Sequence, residues 1–151
     1  MATETKIVLD ANILIRAVLG QKVRNTIQKY ADSAEFFTPD VCFADARKYL
    51  PPLFEKRNLP VDEAIAVLEG LTAIIAAVDA NLYEIYEVEA KQRIAIRDID
   101  DWPIVAVSLM LNCPVWTEDA DFFGTGVATW TSDRVHLYLS KNQQNISNDD
   151  E

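Results

Sequence analysis

The chain has 151 residues, half of them apolar, with 24 acidic side chains against 14 basic ones and a formal charge of −10. This length and apolar content suit one ordinary domain with its own core, which excludes disordered, collagen-like and low-complexity architectures. One histidine and two distant cysteines, Cys42 and Cys113, exclude a zinc ribbon, a CxxC redox pair, a disulfide framework and a His-rich metal centre.

Residues 6–9, Lys-Ile-Val-Leu, form a short apolar run that ends at Asp10-Ala-Asn12 and read as a buried strand stopping at a polar turn. Residues 13–19 are apolar almost throughout and stop at Gly20, as a short helix with a glycine end would. Residues 23–31 give a second helical segment. Residues 35–38 predict a strand, and Thr38-Pro39 predicts a cap followed by proline at the first helical position. A helix over 41–50 is disturbed by Pro51-Pro52 and can resume toward Arg57. Residues 61–71 keep helical spacing through Ile65, Leu68 and Leu71.

Residues 73–78 predict a buried strand, 81–94 one helix, 97–101 a charged loop, and 102–111 an apolar helix. Residues 114–117 and 127–130 predict a fourth and a fifth strand, with a last short helix over 132–139. Strands alternating with helices predict a parallel sheet covered on both faces, in one α/β domain over residues 1–140. Residues 141–151 are polar and are expected to form a disordered tail.

The longest uncharged stretch, 16 residues from 102 to 117, is broken by Pro103 and Pro114 and is too short to span a bilayer. No apolar signal core precedes the first strand and the cysteines have no close partners, so the expected location is the cytosol.

The chemistry lies in the carboxylates. In an open parallel sheet, ligands bind beyond the carboxyl ends of the strands, where strand order reverses. Asp10 ends the first strand, Asp119 and Asp121 follow the fourth, Asp98, Asp100 and Asp101 lie at the entrance of the helix before it, and Asp45 lies in the helix after the second. This topology can gather them in one crevice. Several carboxylates there would repel one another unless a cation neutralised them, and Mg²⁺ or Mn²⁺ suits oxygen ligands. Such an ion can activate water against a phosphoryl group without a side-chain nucleophile. The charge of −10 argues against a sequence-blind nucleic-acid-coating protein, since phosphate contacts need Lys and Arg.

Three segments carry a family resemblance: Val8-Leu-Asp-Ala-Asn-Ile-Leu-Ile15, Asp101-Trp-Pro-Ile-Val-Ala106 and Trp116-Thr-Glu-Asp-Ala-Asp-Phe-Phe-Gly124. In this order and spacing they resemble the motifs of PIN-domain nucleases, over about residues 5–140. The resemblance implies a three-layer α/β/α sandwich with a central parallel, Rossmann-like sheet. It also implies a metal-dependent endoribonuclease, similar to VapC toxins that a cognate antitoxin holds inactive. Asp10 matches the first family acid, Asp101 the third and Asp119 the fourth, and these three would hold Mg²⁺ or Mn²⁺. Thr117 and Asp121 match the usual neighbours of the fourth acid, and Asn12 the polar residue that supports the first. The second family acid is normally a Glu; Asp45 is its counterpart here, one methylene shorter, with Glu55 as an alternative beyond the double proline. The implied partners are RNA, an antitoxin protein and a second copy of the chain. The competing reading is a PIN-like interaction module that has lost cleavage.

Each residue also has a plainer reading. Asp10 can serve as a turn residue and Asp101 as a helix N-cap. Asp98 and Asp100 read as a solvated loop, and Asp121 as a cap for the Phe122-Phe123 turn. His136 reads as structural. Trp102, Trp116 and Trp130 read as core or rim aromatics, and Lys91, Arg93 and Arg97 as a solvated helix face.

Overall fold

The computed structural model describes residues 5–95 and 97–141, so all but the first residue of the tail expected over 141–151 lies outside the described part. Five strands, β1 (Lys6–Leu9), β2 (Glu35–Pro39), β3 (Ile75–Val78), β4 (Val115–Trp116) and β5 (Thr129–Trp130), form one parallel sheet in the order β3-β2-β1-β4-β5. Ile7, Val8 and Leu9 are fully buried, as a central strand covered on both faces requires.

Between β1 and β3 the chain forms α1 (Ala11–Leu19), α2 (Gln21–Lys29), α3 (Asp40–Lys56) and α4 (Val61–Leu71). It crosses back through α5 (Ala80–Tyr83), α6 (Glu87–Ile94) and α7 (Trp102–Leu111), and ends in α8 (Val135–Leu139). Right-handed crossovers that run one way from β1 and return the other way put the two helix sets on opposite faces. The result is the expected α/β/α sandwich. No helix among the described residues is long and apolar enough to cross a membrane.

Several local expectations are corrected. Thr38 and Pro39 belong to β2, and the helix starts at Asp40. Thr38 is fully buried beside β1, where its hydroxyl donates to the Leu9 carbonyl at 2.7 Å instead of capping a helix. α3 runs through Pro51 and Pro52. The prolines leave the carbonyls of Arg47 and Lys48 without helical donors, but both residues are exposed and water can serve them. Leu50 and Phe54, buried on the other side, hold the helix together across the break.

The single helix expected over 81–94 is split by a 3₁₀ turn, Glu84–Tyr86. Tyr83 is buried and Tyr86 packs on the core, and a three-residue turn keeps such i, i+3 side chains in line. β3 is an edge strand with Ala76 and Ala77 exposed, because an alanine run does not distinguish an edge from a centre. Gly20 ends α1 in an extended conformation, its N–H bonded to the Arg16 carbonyl at 3.0 Å. β5 shortens to two residues. The last helix begins at Val135, since Ser132 is drawn instead to Glu118 and Trp116.

Thr38 ties β2 to the last residue of β1, directly beneath Asp10. Thr38→Val keeps the shape and removes one buried hydroxyl donor, so unfolding stability should fall by about 1–2 kcal/mol. A urea titration with unchanged m-value measures this, and an unaltered midpoint would show that the bond is energetically idle.

Candidate active site

The chain leaves β1 toward β2 and leaves β4 toward β5, so a crevice opens between the carboxyl ends of β1 and β4. It has a cavity volume of about 220 Å³, and Asp10, Asp45, Asp98, Asp100, Asp101 and Asp119 all line it, together with Asn12, Cys42 and Tyr49. Four segments distant in sequence are thus brought to one place.

Asp10 is 4% exposed. It caps α1, one carboxylate oxygen accepting the Ile13 N–H at 2.9 Å. The other oxygen accepts the hydroxyl of fully buried Thr117. That hydroxyl in turn accepts the Asp119 N–H at 2.9 Å, and the Thr117 N–H is anchored to the Trp130 carbonyl at 3.0 Å. Burial pushes the Asp10 carboxyl up to about 6. The bonds from Thr117 and Ile13 pull it down, and the charges of Asp119 and Glu118 push it up again.

Asp101 occupies the position before α7, yet its side chain makes no capping bond. The capping in this loop is done by Asp98, which accepts the Asp100 N–H at 3.1 Å. The Asp101 carboxyl is therefore free to face the crevice. Burial raises it to about 7, helped by the charges of Asp98, Asp119, Asp10 and Asp121. Beyond Thr117, a tight turn is held by Asp119, which accepts the Asp121 N–H at 2.9 Å.

A family model of the PIN domain matches residues 8–140. The chain belongs to the PIN domain family. Comparison with curated protein sequences gave no match. Among solved structures, the chain is similar to one chain of VapBC2 from Rickettsia felis bound to a DNA fragment from their promoter. The match has a TM-score of 0.65 at 12% identity and covers 84% of this chain and 98% of that one.

In this PIN domain, Asp10, Asp101 and Asp119 converge on the crevice. Asp45 lines it from α3 but is exposed. Asn12 forms part of the wall, while the hydrogen bonds on Asp10 come from Ile13 and Thr117. Asp121 does not line the cavity; it acts through its N–H on Asp119 and its charge on Asp101. The cap of the turn at Phe122 is Asp119, not Asp121.

Asp98 and Asp100 are exposed, as a solvated loop requires, and both also line the crevice beside Asp101, where the topology can gather them. Glu55 is exposed and does not line the cavity, and neither does exposed His136. Trp116 is buried with its indole N–H on Ser132 at 3.0 Å, and Trp130 stacks on Tyr138 at 5.9 Å, as core and rim aromatics do. Trp102 meets Tyr83 edge-on at 5.6 Å. Lys91 and Arg93 pair with Glu87 and Glu89, yet they are half-buried and not a solvated face. Lys91 lies over the Trp102 ring at 5.4 Å and Arg93 donates to the Thr125 carbonyl at 3.0 Å, while exposed Arg97 lies beyond the end of α6.

Thr117→Val should raise the Asp10 carboxyl above about 6, because it deletes a hydrogen bond to the charged form. Carbonyl ¹³C titration by NMR reads the change, and an unmoved Asp10 would deny Thr117 this role. Asp101 carries a second expectation. Its carboxyl holds a proton up to about pH 7 in the folded state but only to about 3.9 when unfolded. The folded state therefore binds more protons over that window, and stability falls as pH rises from about 4 to about 7. Metal-free Asp101→Asn lacks this loss. Its melting temperature should match wild type near pH 4 and exceed it increasingly up to pH 7. A pH-independent difference would mean that Asp101 ionises as an ordinary carboxyl.

Proposed function

We propose that this PIN domain is a divalent-metal-dependent endoribonuclease and the toxin half of a toxin–antitoxin pair. The observation that carries the reading is the crowding of Asp10, Asp101 and Asp119 in one crevice, with two of the three carboxyls pushed well above their ordinary range. Uncompensated negative charge of this kind favours a cation.

The donor set fits a hard ion. The lining offers carboxylate oxygens, and the thiol of Cys42 is pushed up to about 12 by burial, so it stays protonated and is no thiolate ligand. Among the described residues no three His, Cys, Asp or Glu side chains form a ready-made cage. Mg²⁺ or Mn²⁺ keeps several waters and takes few protein carboxylates. Asp10, Asp101 and Asp119 would hold it. When bound, it would lower the pKa of a water and stabilise charge developing on a phosphodiester.

The side chains divide the remaining work. Thr117 and Ile13 hold the Asp10 carboxylate in one orientation, so no rearrangement is needed when charge arrives. Asp45, on the facing wall, orients a water, and Asp121 supports the set from behind Asp119. Asn12 flanks the substrate's path. RNA as substrate is supported by family membership, and an antitoxin partner by the similarity to a chain of the VapBC2 complex. A homodimer and a cytoplasmic location belong to the same reading. A module that binds without cleaving is the alternative, and Asp45 in place of a longer Glu is its support.

A pair of melting curves and one cleavage assay decide between them. Wild type should gain melting temperature with Mn²⁺, by an amount equivalent to about 2.7 kcal/mol at a hundredfold excess over Kd, and should cleave RNA. Asp101→Asn should lose most of the shift and the cleavage. If wild type shows the Mn²⁺ shift but leaves structured and single-stranded RNAs intact, the non-cleaving module is the better account.

A further inference from the structure

Further along α1, toward its C-terminal end, lies a second cleft, of about 390 Å³, in which basic side chains outnumber carboxylates. Arg16 from α1, Lys22 from α2 and Arg57 from the end of α3 line it, against the two carboxylates Glu118 and Asp133. Asp133 pairs with Lys22 at 2.9 Å, and Glu118, without an ion pair, accepts the Ser132 N–H; three cations thus stand against two carboxylates. Arg16 and Arg57 are exposed and make no ion pair or side-chain hydrogen bond among the described residues. Elsewhere Arg47, Lys91 and Arg93 are matched by glutamates. Arg24, Arg97 and Arg134 also lack an ion pair among the described residues; Arg16 and Arg57 differ from them in sharing one cleft that adjoins the crevice.

The cleft adjoins the crevice on two sides. Asn12 and Ile15 line the crevice and Arg16 and Leu19 the cleft, so the two follow one another along α1. Arg16 stands one helical turn beyond Asn12, about 5–6 Å between Cβ atoms. Glu118, in the cleft, is the chain neighbour of Asp119, in the crevice. A polyanion drawn to the crevice meets a wall of carboxylates, and cations beside it supply the attraction the crevice lacks. The guanidinium fork matches two oxygens of one phosphate, which a lysine cannot do.

We propose that this cleft is a phosphate-binding subsite, in which Arg16 and Arg57 grip the backbone of an RNA strand beside the scissile bond. It rests on the RNA-cleaving reading above. Arg16 and Arg57 are positioning residues for the substrate and take no part in bond breaking.

The test is the binding of a fluorescein-labelled single-stranded RNA, in Mn²⁺ and across a monovalent salt series, to Asp10→Asn protein, in which cleavage is expected to be absent. Each of Arg16→Ala and Arg57→Ala should weaken binding several-fold at low salt. Each should also flatten the slope of log K against log salt by about 0.7, the value for one single-strand phosphate contact. Arg16→Lys should restore the slope but only part of the affinity. Lys29→Ala, which removes an exposed charge outside the cleft, should behave as the parent protein. If the two arginine variants are indistinguishable from Lys29→Ala, the subsite is overturned, including in favour of an acidic protein partner in the cleft. Cleavage by the otherwise wild-type chain is scored separately. Arginine-dependent binding without any cleavage would remove the nuclease reading and keep the subsite, and cleavage with arginine-independent binding would do the reverse.

Discussion

Because Thr117 donates its hydroxyl to Asp10 and accepts the N–H of Asp119, the acids at the ends of β1 and β4 cannot move independently. The hydroxyl is itself fixed, since the Thr117 backbone continues the sheet through the Trp130 carbonyl. One fully buried side chain thus transmits the register of the sheet to the spacing of two carboxylates. Thr38 acts in a similar way one layer down, holding the end of β2 to Leu9. The mouth of the sheet is built from hydroxyls that have no freedom to choose other partners.

That rigidity has an electrostatic consequence. A flexible acidic loop would let its carboxylates separate into solvent, and their pKa values would relax. Here Asp10 is buried at a helix start and Asp101 sits on the first turn of an apolar helix whose residues 103–108 are buried. Burial is the first cause that lifts both carboxyls, to about 6 and about 7, and the charges of neighbouring acids add to it. The destabilisation is local and is offset by the core, where α7 and the central strand bury apolar side chains almost without interruption. A site of this kind is less stable empty than filled, which is the trade between stability and function expected at charged binding sites.

Much of this was legible in the sequence because strand, turn and acid coincide there. An apolar run ending in Asp10, and another followed by Thr117 and Asp119, fix both the sheet and its functional edge, and the three-layer fold follows from the alternation of elements. The misreadings share a cause. Pro51-Pro52 inside α3, the 3₁₀ turn at Glu84–Tyr86 and the exposed alanines of β3 all depend on what the segment packs against, which local periodicity does not encode. For Asp101 the sequence leaves a helix cap and a crevice acid both open, and only the packed loop shows that its side chain makes no cap bond while Asp98 caps the 3₁₀ turn before α7.

The net charge of −10 is a poor guide to what the surface attracts, because it averages two neighbouring regions of opposite sign. Screening at physiological salt limits the reach of each charge to about 8 Å, so a ligand near α1 responds to the wall it touches and not to the whole chain. Near the start of that helix the carboxylates gather, and one turn further along Arg16 and Arg57 stand without ion pairs. Such a succession along one helix would, in the proposed function, orient a phosphate chain relative to a cation. In the proposed function, the direction in which the RNA strand enters the crevice is then a consequence of where α1 places residues 12 and 16, one turn apart.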